Sequence, residues 1–318
     1  MGCMWSEQTL QLIEIACEED LGATGDITSA LLEGDEPVEA RLVPRADGVI
    51  CGLAIGPAIC DVFAQRSGFE LAFATPTRDD GPGRDGFVVR PGECVATIRG
   101  RRTVVLCSER TLLNFLGRMS GVATLTRRFV DAAREVNADV QIVDTRKTIP
   151  GWRELDKYAV RCGGAQNHRQ GLYDAVLIKD NHLAGTPPER LASALFDMLN
   201  RLVPLSAKSE ASPDQQARGL HPGRPSFVEV EVDDLAQFEA VCSVLGVDIV
   251  LLDNFSPAQM RAAVERRDAL GLRGKVRLEA SGRVALDNVA EIAATGVDRI
   301  AVGALTHSAP TLDIGLDF

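Results

Sequence analysis

From Val140 onward one unit recurs along the chain: an apolar, β-branched run closing on polar or charged residues, then a loop, then a helical pattern. The runs are QIVDTR (141–146), AVLIKD (175–180), FVEVEV (227–232), DIVLLD (248–253), VRLEAS (276–281) and RIAVGA (299–304). Between them, residues 184–202, 234–245, 257–270 and 286–295 carry apolar side chains at helical spacing. Strands that alternate with helices pair in parallel, and this many repeats predicts an α/β barrel. In such barrels the side chains at the C-terminal strand ends line the active site, and the charged residues of this chain fall there.

The first part of the chain lacks that rhythm. Helices are predicted around residues 6–19 and 53–66, with short extended segments near 38–45, 47–51, 69–75, 86–90, 94–99 and 102–107. Turn-forming clusters such as 78–86 separate them. The pattern fits an α+β domain built on an antiparallel sheet. A helical pair, 108–118 and 121–136, is expected to lead into the barrel. The stretch 204–226, rich in Ser, Pro, Gly and charge, reads as an exposed loop before the VEVEV strand.

Within the barrel segment, residues 144–182 gather Arg146, Lys147, His168, Arg169 and Lys179 in a protein of formal net charge −11. Two like charges about 4 Å apart repel by roughly 4 kcal/mol at an effective dielectric near 20, so converging cations are stable mainly around a carboxylate or phosphate. The simplest such anion is a substrate. Arg153, Lys157 and Arg161, four residues apart with Glu154 and Asp156 nearby, instead read as a solvated helix face. The acidic total argues against a nucleic-acid-binding surface but suits one cationic cleft that focuses anionic ligands.

The acidic strand ends Glu231 and Asp253 form a second constellation. Carboxylates at adjacent barrel strand ends can hold Mg2+, which prefers one or two carboxylates with water and phosphate oxygens. They can equally neutralise Lys147 and Lys179, and spacing does not choose between these readings. Glu229 points to the same face as Glu231 and is a weaker candidate. A third group, LEASGRV with RIAVGALTH, places Ser281, Gly282, Gly303, Ala304 and His307 after the last two strands, where barrels often bind phosphate. His182 reads equally as a structural group or a ligand, and His221 falls in the 204–226 loop.

Other signals are absent. The chain has no P-loop, no GxGxxG after a strand and no G-x-S-x-G elbow. Its eight cysteines are scattered without metal-type pairing and are expected to be reduced. No apolar run is long enough to span a membrane, so a soluble, cytoplasmic protein without membrane attachment is expected. MGCMWS matches the loose N-myristoylation pattern with Cys3 as a second lipid site, a short pattern that chance explains better.

In order along the chain, TRKT-PG-R, KYAVRCGG--NHR-GL-D--LIKDNH, EVEV, LLDNF, LEASG and VGALTHSA--LDI resemble quinolinate phosphoribosyltransferase, the carboxylating-type nicotinate-nucleotide pyrophosphorylase family of NAD biosynthesis. EEDLGATGDITS and SERTLLNFLGRMSG also match, so the resemblance spans essentially the whole chain. It implies an α/β sandwich domain (1–120, with 308–318 returning to it) joined to an open, TIM-like α/β barrel (121–307). It further implies transfer of phosphoribose from phosphoribosyl pyrophosphate to quinolinate with loss of CO2. By the same resemblance, Arg146 and Arg169 hold the quinolinate carboxylates with His168 and Lys179 beside them. Lys147 and Lys179 face the pyrophosphate, and Glu231 and Asp253 handle the ribose hydroxyls and Mg2+. Ser281, Gly282, Gly303 and His307 match the phosphate end. Arg110 reaches into the neighbouring subunit's site, which implies a homodimer and leaves larger assemblies open.

The chain departs from the family at Ala165, where a third glycine is usual, and at Arg283, where Gly or Asn is usual. The 204–226 loop also looks longer than in relatives. Rival readings are a paralogous phosphoribosyltransferase for another aromatic acid, a Schiff-base aldolase using Lys179, and a non-enzymatic sensor of quinolinate or a phosphate ester.

Overall fold

The computed structural model describes residues 4–78, 81–202 and 225–318. The opening MGC, His221 and all but the end of the 204–226 loop lie outside the described residues. The chain divides into two compact units, one of residues 1–128, 147–165 and 305–318, the other of 129–146 and 166–304. Segment 147–165 falls in the first of these units.

The first unit is built on four antiparallel strands: β1 (Pro37–Pro44), β3 (Leu71–Ala74), β7 (Ala96–Arg101) and β14 (Ile314–Asp317), in the order β14-β1-β7-β3. Along β1 the buried Ala40 and Leu42 alternate with the exposed Glu39 and Arg41, so one sheet face carries the core. The chain end does return: β14 pairs with β1 in the register Arg41↔Asp317 to Pro44↔Ile314. The helix Gly56–Ser67 packs on β3 and on the helix Glu7–Leu21, burying Phe63, Ile59 and Ile13. Short strands β2 (Gly48–Val49) and β6 (Val88–Val89) form a separate ladder, as do β4 (Thr77–Arg78) and β5 (Gly81–Pro82).

Two sequence expectations fail here. The 102–107 segment is helix rather than strand, and the helical pair is a single helix, Arg102–Arg134, of 33 residues. The β-branched Thr103-Val104-Val105 suggested a strand, but Asp35 caps the helix from a distant segment. Its Oδ1 accepts from the Thr103 backbone N–H at 3.0 Å and from the Thr103 hydroxyl at 2.8 Å. An acceptor at the first turn satisfies one of the donors a helix leaves open, which tips a short ambiguous run. No break falls between 118 and 121, and Gly121 instead marks a close contact: a Cβ built there would lie 2.0 Å from the Pro310 carbonyl oxygen. Gly117 serves the same returning segment, its carbonyl accepting from Leu312 N–H at 3.0 Å.

Gly121→Ala therefore opposes two effects. Helix propensity favours alanine by about 1 kcal/mol, whereas overpacking costs about 1–3 kcal/mol and more against rigid backbone. Because the obstacle is a carbonyl, a net loss of about 2 kcal/mol is expected in urea unfolding. A variant as stable as the parent would refute this account of the unbroken helix.

The second unit follows the predicted alternation. Its strands are β8 (Gln141–Val143), β9 (Val176–Ile178), β10 (Val228–Val232), β11 (Ile249–Asp253), β12 (Arg277–Ser281) and β13 (Arg299–Ala301). They form one parallel sheet in the order β8-β13-β12-β11-β10-β9. Strands β8 and β9, neighbours in sequence, stand at opposite ends of this order, so the barrel is open between them. Ile249 to Leu252 are all buried, as expected of parallel strands covered on both faces. The helices Pro188–Asn200, Leu235–Val241, Pro257–Ala269 and Val289–Ala293 contact one another in sequence order. Among the described residues no helix is long and apolar enough to cross a membrane.

Candidate active site

Parallel pairing sets which side chains share a face. Glu231 pairs with Leu251, Leu251 with Glu279 and Glu279 with Arg299, so these four side chains lie in one row. Residues two positions apart on a strand share that face, which adds Glu229 beside Glu231 and Asp253 beyond Leu251. Asp253 in turn pairs with Ser281. The sheet thus has a charged inner face that reaches its C-terminal end.

At that end the structure brings Arg146 and Arg169 together. Burial, and after it the Arg146 charge, lowers the pKa of Arg169. The buried Nε of Arg146 has no hydrogen-bond partner among the described residues. Arg169 is itself 8% exposed, and its guanidinium donates to the Ala175 carbonyl at 3.3 Å. Two guanidiniums that repel each other, one with a buried donor unsatisfied, suit an anion bearing two carboxylates.

Lys179, the first residue after β9, forms an ion pair with Glu231, whose side chain is 9% exposed against 44% for the lysine. Glu231 thus neutralises Lys179, as one of its two sequence readings has it. Asp253 accepts from Asn254 Nδ2 at 2.6 Å. Asn254 has φ 55°, Gly282 φ 93° and Arg283 φ 50°. A Cβ at Gly282 would lie 2.3 Å from Asn254 Oδ1, so glycine is required where these two loops meet. Arg283 is exposed, and its left-handed backbone accounts for the Gly or Asn usual at that position. Gly303 follows Val302, whose N–H extends the pairing of β13 with β8 by donating to the Val143 carbonyl at 2.9 Å.

His182 Nδ1 accepts from the Lys179 backbone N–H at 2.9 Å. Arg110, Lys147 and His307 belong to the first unit. There the Lys147 carbonyl accepts from the Thr306 hydroxyl at 2.8 Å, and His307 Nδ1 lies 2.6 Å from the Ser308 hydroxyl. Arg110 is exposed beside a cavity of about 230 Å3 lined also by Glu19, Asp20, Asn114 and Trp152. The expected solvated face is corrected in part, because Lys157 is fully buried and Asp156 pairs with Arg118 at 3.0 Å. Lys157 faces the core because Leu155, Asp156, Ala159 and Val160 of the same helix are buried around it.

Beneath the arginines lies a buried polar cluster that sequence reasoning largely missed. His168 Nε2 is 2.6 Å from Glu229 Oε2 and 3.6 Å from Glu279 Oε1. Arg299 Nε is 3.0 Å from Glu279 Oε2, without the alignment of a hydrogen bond. Both glutamates are fully buried, and burial pushes each carboxyl up to about 7, with Arg299 acting in the opposite direction on both. His168, Glu229 and Glu279 have the ligand types and spacing of a metal site. The imidazole argues otherwise. Its Nδ1 accepts from the Arg169 backbone N–H at 2.8 Å, so the ring proton of the neutral form sits on Nε2, the nitrogen a metal would need.

The family model for the quinolinate phosphoribosyl transferase C-terminal domain matches residues 122–195 and 206–317, and that for the N-terminal domain matches residues 26–120. The chain belongs to the quinolinate phosphoribosyltransferase family. A Mycobacterium leprae nicotinate-nucleotide pyrophosphorylase [carboxylating] is 39% identical over 96% of this chain and 95% of its own length. A probable nicotinate-nucleotide pyrophosphorylase [carboxylating] of Archaeoglobus fulgidus is 36% identical over 92% of this chain and 97% of its own. Among solved structures, the nicotinate-nucleotide pyrophosphorylase of Ehrlichia chaffeensis has a TM-score of 0.77 at 33% identity and covers 99% of each chain. The resemblance drawn from the motifs, and the sandwich-plus-barrel fold class it implied, are thereby borne out. In this member of the quinolinate phosphoribosyltransferase family, Glu279 and Arg299 escaped sequence reading because each looks like an ordinary polar position of an alternating strand. The available signal was a charged residue inside a run that parallel pairing buries on both faces.

Proposed function

We propose that the chain transfers the phosphoribosyl group of phosphoribosyl pyrophosphate to quinolinate, releasing pyrophosphate and CO2 and leaving nicotinate mononucleotide. The observation that carries this reading is the Arg146 and Arg169 pair at the C-terminal end of the barrel sheet, with the buried Nε of Arg146 unsatisfied among the described residues. A pyridine dicarboxylate supplies two anionic groups for two guanidiniums, whereas a Schiff-base aldolase has no use for that pair. The Lys179 ammonium is moreover engaged by the Glu231 carboxylate, an arrangement that serves an anionic leaving group rather than attack on a carbonyl.

Breaking the bond between ribose C1 and pyrophosphate builds positive charge on the ribose and negative charge on the leaving group. Lys179 is the described barrel cation suited to the departing phosphates, and Glu231 and Asp253 suit the ribose hydroxyls. The same two carboxylates fit Mg2+, being on adjacent strands of one face with Asp253 at the very end of β11. When bound, that ion supplies charge neutralisation of the pyrophosphate. The quinolinate nitrogen attacks C1 as the C1–pyrophosphate bond breaks, and once quaternised it stabilises the carbanion left by loss of the adjacent carboxylate, which takes up a proton from solvent to give nicotinate mononucleotide. The protein's share is to hold the dicarboxylate in line and to balance charge. Ser281, Gly282 and Gly303 stand at strand ends where backbone N–H groups suit a phosphate. Lys147, His307 and, from a second copy of the chain, Arg110 complete the reading by the motif resemblance. The exposure of Arg110 supports a role toward another subunit in a cytoplasmic homodimer.

The test is an assay of the purified protein with quinolinate, phosphoribosyl pyrophosphate and Mg2+, following CO2 and nicotinate mononucleotide together. Equimolar appearance of both is expected. Turnover of a different aromatic acid, with none of quinolinate, would move the chain to a paralogous activity.

A further inference from the structure

His168 stands between two buried layers. Below it, Glu229 Oε2 lies 2.6 Å from Nε2, and Glu279, backed by Arg299, approaches the same nitrogen. Above it, Nδ1 accepts the backbone N–H of Arg169 at 2.8 Å. The preceding peptide is fixed from a third side, because the His168 N–H donates to Asp144 Oδ1 at 2.7 Å and Asp144 also accepts from Asn167 Nδ2 at 2.8 Å. The ring is held edge-on to Phe227 at 5.2 Å. An imidazole nitrogen that accepts an N–H carries no proton of its own, so Nε2 bears the proton and donates it to Glu229. Both ring nitrogens are thus engaged within the protein.

From this we infer that Glu229 is a positioning residue for the dicarboxylate site: through the Nε2–H tautomer of His168 it fixes the Arg169 backbone, and His168 acts through Arg169 rather than as a cation for the substrate. Arg169 needs such a hold, because the neighbouring Arg146 charge pushes it away. With the backbone held through Asp144 and Glu229 and the guanidinium donating to the Ala175 carbonyl, Arg169 is ordered before the ligand arrives, which lowers the entropic cost of binding. The role assigned to Arg169 rests on the proposed quinolinate reaction, whereas the tautomer does not.

Two measurements separate these. In ligand-free protein labelled with 15N-histidine, His168 is one of four imidazoles and is assigned by its loss in His168→Asn. Its Nδ1 is expected to be unprotonated and its Nε2 protonated at neutral pH. A protonated Nδ1 overturns the inference, whatever the enzyme turns over. In steady-state kinetics, Glu229→Leu is expected to raise KM for quinolinate about tenfold, the size of a lost buried hydrogen bond, with a much smaller change in KM for phosphoribosyl pyrophosphate. Glu229→Gln, which keeps an oxygen acceptor for Nε2–H, should lie much closer to the parent enzyme. Equal rises in both KM values, or a Gln variant as impaired as the Leu variant, would reject the positioning role. If the tautomer is as stated and the parent protein does not act on quinolinate, the functional reading fails and the inferred geometry survives.

Discussion

Arg169→Ala and Arg146→Ala are each expected to weaken quinolinate binding by about 2–5 kcal/mol, the usual cost of removing one partner from a desolvated charge pair. The corresponding loss of affinity is tens to thousands of fold. Isothermal titration of folded variants with quinolinate reads it directly. The two positions should differ within that range. Arg169 is nearly buried and its backbone is tied to His168, so its loss removes a preorganised guanidinium. Arg146 is only half-buried, and its removal relieves the repulsion it exerts on Arg169, which offsets part of the cost. Arg169→Ala is therefore expected to be the more damaging. Unchanged affinity in both variants would eliminate the dicarboxylate pocket and with it the proposed substrate.

How far the sequence could be read depended on whether the deciding contact was local. The barrel strands were legible because an apolar run, its charged terminus and the following helical spacing are all contiguous; β11 and β12 fall inside the predicted DIVLLD and VRLEAS. The Arg146 and Arg169 pair was legible from charge clustering in an acidic chain. The helix Arg102–Arg134 was not, because what starts it is Asp35 and what explains Gly121 is Pro310, both far away in sequence. The buried cluster was hidden for a related reason. Glu279 meets Arg299 only once β12 and β13 are in register, and Glu229 looked like a second-best copy of Glu231 until burial separated them. Glu231 remained ambiguous because one carboxylate can serve a lysine or a metal, and spacing does not record which.

The Glu279 and Arg299 pair yields the largest expected effect on stability. Arg299→Leu leaves a fully buried carboxylate without its guanidinium, a change that costs about 3–5 kcal/mol when the charge persists. Whether it persists depends on pH. Burial already raises the folded-state pKa of Glu279 to about 7, above the 4.5 of an ordinary glutamate. A group raised on folding contributes stability that is fully present below its unfolded pKa and is lost as pH rises through the folded value. Removing Arg299, which acts to lower that pKa, moves the folded value higher still. The stability difference between parent and variant should therefore be largest near pH 8 and shrink toward pH 5, where Glu279 is protonated in both. Urea unfolding at the two pH values measures it. Combining Arg299→Leu with Glu279→Gln should recover part of the loss at pH 8, because the Glu279 charge is then gone and only Glu229, which keeps Arg169 and Lys179, still lacks Arg299. A loss of equal size at both pH values would mean that Arg299 stabilises by packing against Phe227, whose ring centroid lies 5.6 Å from its guanidinium carbon, rather than by holding the Glu279 charge.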